Sequence, residues 1–283
     1  MDVRTSYKNV LHPVLWRVAT FEQKLDALQE LENVYAAIQG RVSWTVVDAD
    51  LGDVEGKVSG GEILINRRFI LDTQYEDAPV FKAVSAVIHE GRHAFQLAVI
   101  FGDAAHEESE ARKWKENLAV YLHPSRLREE YYYAYRFQPL ERDAHDYALK
   151  EMRMIYGRLE QKYGRINSLV EYFDKDMRDT AASADFAAQD LGSNFLEKLD
   201  DLIHGEYEKE IEKEPWPPRN TDPSVQGKWV PESRRRRREP ERGPRQLGMF
   251  DNVQTEAVQI IKDALTPKDD PQPPPEPPPF DPV

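Results

Sequence analysis

The chain has 283 residues, no cysteine, a formal net charge of −13 and a mean hydropathy of −0.71. The missing thiol excludes disulfides, cysteine nucleophiles and thiolate metal sites, and the acidic balance argues against broad affinity for nucleic acid. No apolar run approaches the 18 residues of a membrane span and Met1–Tyr7 lacks the apolar core of a signal peptide, so a soluble, cytoplasmic protein with no membrane partner is expected.

In chain order, residues 21–38 carry apolar side chains at a spacing near 3.6 and predict a helix. Arg41–Val47 and Gly61–Asn66 are alternating or β-branched and predict strands. Asp77 and Pro79 mark a helix start, after which Phe81, Val84, Ile88 and Phe95 recur at near-helical intervals over about 20 residues. Helical composition returns at 104–121, 126–136, 139–161 and 166–212, with Pro139 suited to a first helical turn. Of the 20 prolines, 16 fall after residue 204, which places a folded body at 1–204 and a disordered tail at 205–283. The expected class is α+β, mostly helical, with one small sheet.

Inside the helix that begins near residue 79 stands His89-Glu90-Gly91-Arg92-His93. Helical residues i and i+4 share a face, so the two imidazoles can hold one ion, while Glu90, rotated by about 100°, can reach a water on it. That is a metal-binding and water-activating arrangement. A catalytic zinc keeps three protein ligands and an open position, so one more ligand must come from elsewhere. Gln96 and Val99 stand where the metzincin pattern has Gly and His, which excludes that pattern. Farther on, Glu141 and His145 lie four apart on one predicted helix face and both offer donors.

His89-Glu90-x-x-His93, followed 48 positions later by Glu141 in a Glu-Arg-Asp-Ala-His-x-x-Ala setting, resembles the glutamate-type zincins (gluzincin-like metallopeptidases). The likeness is greatest to the compact ImmA/IrrE-type and toxin-associated domains, and it covers residues 60–150 as a short-motif match. It implies a zincin-like core with a small sheet beside the His-Glu helix, Zn2+ as cofactor, His89, His93 and Glu141 as ligands and Glu90 as general base. It also implies that the edge strand of that sheet takes an extended peptide by main-chain pairing. His145 departs from the pattern and is read either as a residue that orients a ligand or as an alternative ligand.

Gly91, within a helix, points to the close approach of a strand or of the Glu141 helix, or to a tolerated small residue. Arg92 either pairs with an acidic group or faces solvent. The run Tyr131–Tyr135 reads as core packing, with one hydroxyl available to an oxyanion. In the tail, Arg234 to Arg238 are diluted by Glu232, Glu239 and Glu241, and prolines cluster at 273–279. Between them Gln246-Leu247-Gly248-Met249-Phe250 resembles the peptides that dock bacterial replication and repair proteins on the DNA sliding clamp, with Gln246, Leu247, Met249 and Phe250 as the docking residues. Val253, Ala257, Ile260, Ile261 and Leu265 form a helical apolar stripe that could equally bind a partner.

The function expected from these readings is a zinc-dependent endopeptidase acting on a protein or peptide substrate. Two alternatives stand beside it: a non-catalytic metal-binding scaffold whose tail recruits partners, and a protease of mobile-element or toxin type.

Overall fold

The computed structural model describes residues 7–71, 79–123 and 131–213. Asp77, residues 126–130 and the tail features from Trp216 onward, including Gln246, Leu247, Met249 and Phe250, lie outside the described residues.

Two short helices, α1 (Tyr7–Val10) and α2 (Pro13–Val18), lead into α3 (Phe21–Ile38). A capping box starts α3: the Thr20 hydroxyl accepts from the Gln23 amide at 3.2 Å, and the Gln23 side chain accepts from the Thr20 amide at 2.9 Å. Gly40, at φ 67°, ends it and turns Arg41 back along the helix. Three strands follow, β1 (Thr45–Ala49), β2 (Gly56–Ser59) and β3 (Glu62–Asn66), in the order β1-β3-β2, with β3 parallel to β1 and antiparallel to β2. The expected strands at 41–47 and 61–66 thus appear as β1, shifted toward its C-terminal side, and β3. The intervening β2 was not foreseen, because Gly56 and Lys57 give it little strand character. The hairpin closes on Gly60 and Gly61, both at positive φ, which a two-residue turn matched to strand twist requires.

After α4 (Arg67–Leu71) comes α5 (Pro79–Ile100), the helix that carries the His-Glu motif. Of its 22 residues, 17 are buried, so it is enclosed on all sides rather than laid on a surface. It packs against α3, the sheet, α6 (Glu108–Ala119) and α8 (Pro139–Tyr163). Val46, Val58, Ile63 and Ile65 present the apolar face of the sheet to a core that includes Phe81, Val84 and Ile88 of α5 and Met152 and Tyr156 of α8.

The other expected helices are found with altered ends. The one placed at 104–121 starts only at Glu108, where Glu107 acts as the cap by accepting from the Ser109 and Glu110 amides. The described part of 126–136 is α7 (Tyr132–Phe137). The continuous helix expected over 166–212 is two, α9 (Asn167–Leu191) and α10 (Phe195–Lys213), because Gly192 at φ 88° breaks the ladder. α10 passes residue 204 and continues to Lys213. α7, α9 and α10 share a second apolar cluster, with Leu122, Phe137, Ala187, Leu199 and Ile203 at its centre. Among the described residues no helix is long and apolar enough to cross a membrane.

Candidate metal centre

The 3.6-residue turn of α5 stacks His89 over His93 and brings their Nε2 atoms to 3.0 Å. α8 supplies the third side chain. Its first turn starts at Pro139 and sets Glu141 against both imidazoles, with Oε2 3.3 Å from His89 Nε2 and Oε1 3.3 Å from His93 Nε2. The donor atoms of the three residues lie within 4.8 Å of one another, and among the described residues this is the group of His, Asp and Glu that could hold a metal ion. An ion held tetrahedrally at roughly 2.0–2.1 Å separates its ligand atoms by about 3.3–3.4 Å, and with one carboxylate oxygen facing each imidazole the three side chains are close enough for a single ion to be shared among them.

His145 is not part of that group. Its ring centre lies 6.4 Å from that of His89, but Arg136 Nη2 donates to its Nδ1 at 2.6 Å, leaving Nε2–H to face Asp176 at 3.2 Å. Both nitrogens are engaged, and of the two candidates Glu141 is the one that stands beside the His89 and His93 imidazoles.

A chain of hydrogen bonds orients these side chains. Gln96 donates to the Leu140 carbonyl at 3.0 Å and to Asp143 at 2.7 Å, which leaves its Oε1 to accept from His93 Nδ1 at 2.7 Å. The His93 Nε2 is thereby aimed at the centre. Asp143 also accepts from Arg92 Nε and Nη2 at 2.7 and 2.9 Å. Arg92 is therefore a buried partner of Asp143, stacked near Phe95, Trp114 and Tyr147, and not an exposed helix charge. On the other ligand, the Tyr121 hydroxyl donates to Glu141 Oε1 at 2.5 Å and Tyr135 adds a second hydroxyl contact. Gln96, Asp143 and Tyr121 were not singled out from sequence. Gln96 stands three residues after His93 and was legible as its helical neighbour, whereas Tyr121 carries no local signal.

The run Tyr131–Tyr135 divides by position. Tyr133 is buried and donates to Asp190 at 3.0 Å, Tyr135 reaches Glu141, and Tyr132 is 46 % exposed yet feels the charge of Glu141. Gly91 has a reason the sequence did not suggest. A Cβ there would meet Glu32 Oε2 at 2.9 Å and Arg41 Nη2 at 3.0 Å, so what approaches most closely is a buried ion pair of α3 and its C-terminal turn, with Ile63 of β3 next at 3.9 Å.

Burial pushes the Glu90 carboxyl up to about 7, against the pull of His93 and of the Val58 amide, which donates to it. Burial also lowers His89 to about 4, although Glu141 opposes the shift. For His93, burial would lower the value, but the Glu141 carboxylate outweighs it and holds the ring up at about 9. Glu141 would likewise be raised by burial, yet the two imidazoles keep it well below the usual carboxylate range.

These directions would set the pH dependence of cation uptake by this group. A cation must displace the His93 proton, and since that group titrates at about 9 rather than at its ordinary 6.5, the proton competes fully below that pH and ceases to compete above it. Zinc affinity is expected to rise by roughly tenfold per pH unit between about pH 6.5 and 8.5. Competition with a chromophoric chelator across that range measures the slope, and a flat profile would mean that His93 is neutral in the metal-free protein.

Comparison with protein families, with curated proteins and with solved structures finds no match for this chain.

Proposed function

We propose that the chain is a zinc-dependent endopeptidase with a zincin-like core, in which His89, His93 and Glu141 hold the ion and Glu90 is the general base. The observation that carries this reading is the convergence of three donors, two from one helix and one from another, with a buried carboxylate adjacent in sequence to the first. Two imidazoles and a carboxylate suit zinc, and when bound the ion would supply Lewis acidity toward a water and a substrate carbonyl.

The chain's own groups supply the rest. Glu90, titrating near neutrality, takes a proton from the attacking water and delivers it to the leaving amine. Gln96 and Tyr121 keep His93 and Glu141 in register while charge develops. Tyr132, exposed on one side and within the field of Glu141, is the member of the tyrosine run left to face a substrate oxygen. β2 is one of the two edge strands of the sheet and lies against α5, with its Val58 amide donating to Glu90.

The scaffold alternative needs a closed site with four protein ligands. Among the described residues only three donors converge, and His145, the fourth candidate, is bonded elsewhere, which favours the catalytic reading. Elemental analysis of metal-depleted, zinc-reloaded protein tests it. Wild type is expected to bind one equivalent, and His89→Ala and Glu141→Ala to bind markedly less. A wild type that binds no zinc would refute the proposal.

A further inference from the structure

Hydrogen bonding within the β2–β3 hairpin fixes which way the β2 backbone faces. The Asn66 amide donates to the Glu55 carbonyl at 3.0 Å, and the register pairs Gly56 with Ile65, Lys57 with Leu64 and Val58 with Ile63. Antiparallel pairs alternate between bonded and non-bonded, so Lys57 and Ser59 turn their backbone groups toward β3 while those of Gly56 and Val58 turn to the free edge. That edge is occupied by Glu90: the Val58 amide donates to its carboxylate. The side-chain space at Gly56 is filled by the same residue. A Cβ built there would lie 2.9 Å from Glu90 Cγ, 3.2 Å from Glu90 Oε1 and 3.3 Å from Ala86 Cβ. Gly56 is not at positive φ, so its backbone does not require glycine. What requires it is the Glu90 side chain.

We infer that β2 is the seat of the general base: Gly56 leaves the space through which Glu90 passes, and the outward Val58 amide holds its carboxylate beside the metal ligands. Gly56 and Val58 are positioning residues, and the inference rests on the zinc reading above. It assigns a function to a strand that had no evident signature in the sequence. An alanine at position 56 moves Glu90 without touching His89, His93 or Glu141, since the displaced atom is Cγ, in the middle of the side chain, with Ala86 closing the other side.

The test uses the full chain loaded with Co2+, whose visible spectrum reports the ligand set, and acetohydroxamate, a metal-chelating probe whose hydroxyl needs a neighbouring base to accept its proton. Wild type, Gly56→Ala, Glu90→Gln and, as a control for the substitution itself, Gly157→Ala, whose added methyl meets nothing within 4 Å, are compared. All four are expected to bind one equivalent of Co2+. Gly157→Ala should titrate with acetohydroxamate as wild type does, whereas Gly56→Ala should follow Glu90→Gln in weakening the probe by roughly tenfold or more. A folded Gly56→Ala protein that binds the probe like wild type overturns the inference. Should Gly56→Ala not fold, Val58→Pro decides, because it removes the outward amide and leaves the ladder to β3 intact. Loss of Co2+ binding in wild type would instead overturn the metal reading on which the inference stands.

Discussion

Replacing Glu90 with Gln is expected to leave one equivalent of zinc bound and to lower peptide hydrolysis by roughly 10²–10⁴-fold. The amide matches the carboxylate in size, so it fits the space beside Gly56 and its oxygen still accepts from the Val58 amide. What it loses is the ability to take a proton, which is the sole role assigned to Glu90. The substitution leaves the proposed ligands His89, His93 and Glu141 in place and removes only the charge of Glu90 beside His93, so metal content should stay close to wild type. Turnover is read by mass spectrometry on a mixed-sequence peptide library, since cleavage specificity resides in the shape of the substrate groove. A Glu90→Gln protein that retains wild-type turnover would exclude Glu90 as the base and leave the metal site in place.

Arg41→Ala is expected to destabilise the fold by about 3–5 kcal/mol, the range for removing one partner of a buried ion pair. Glu32 and Arg41 are 0 % and 2 % exposed at their side chains, and Glu32 accepts from Arg41 Nη1 at 2.6 Å, from Nη2 at 2.8 Å and from the Trp44 amide at 2.9 Å. Alanine would leave the carboxylate buried with one backbone donor. For a body of this size the corresponding loss is on the order of 10 °C in melting temperature. Urea unfolding of the metal-free protein gives the free energy directly, and a change below about 1 kcal/mol would show that Glu32 is solvated or neutral once Arg41 is gone. The effect reaches the site because Gly91, between the two histidines, is the residue against which this pair packs.

Much of this arrangement was legible before any coordinates. Apolar periodicity located α3, α5 and α8 because each buries a continuous stripe, and the i, i+4 geometry of His89 and His93 follows from helix pitch alone. Pairing these residues with Glu141 rested on a resemblance, and the fold brings the three together across 48 residues of sequence. Less legible were features decided by tertiary contact. Gly91 reads as a close-approach residue, but the group that approaches most closely is a salt bridge whose members are nine residues apart in sequence, a pairing that no local pattern reveals. β2 was missed because its value as a strand comes from pairing with β3 and from the side chain it accommodates, not from its own composition. The division of 166–212 hinged on Gly192, whose conformation a helical stripe does not reveal.

The bonds from Gln96 and Arg92 of α5 to Asp143 and Leu140 of α8 join the two helices that carry His89, His93 and Glu141 through protein groups. Tyr121 and Tyr135 brace Glu141 in the same way. The candidate donors are thus held by contacts of their own, in contrast to small zinc-dependent domains in which the free energy of binding is the free energy of folding. On the proposed zinc reading, occupancy and foldedness would be separate variables: the metal would add mass-action stabilisation of the form RT ln(1 + [L]/Kd) to a framework held by its own packing and hydrogen bonds. On that same reading, a chelator would act on this protein as a reversible switch, withdrawing the reactive centre from a body that stays folded and ready to be reloaded.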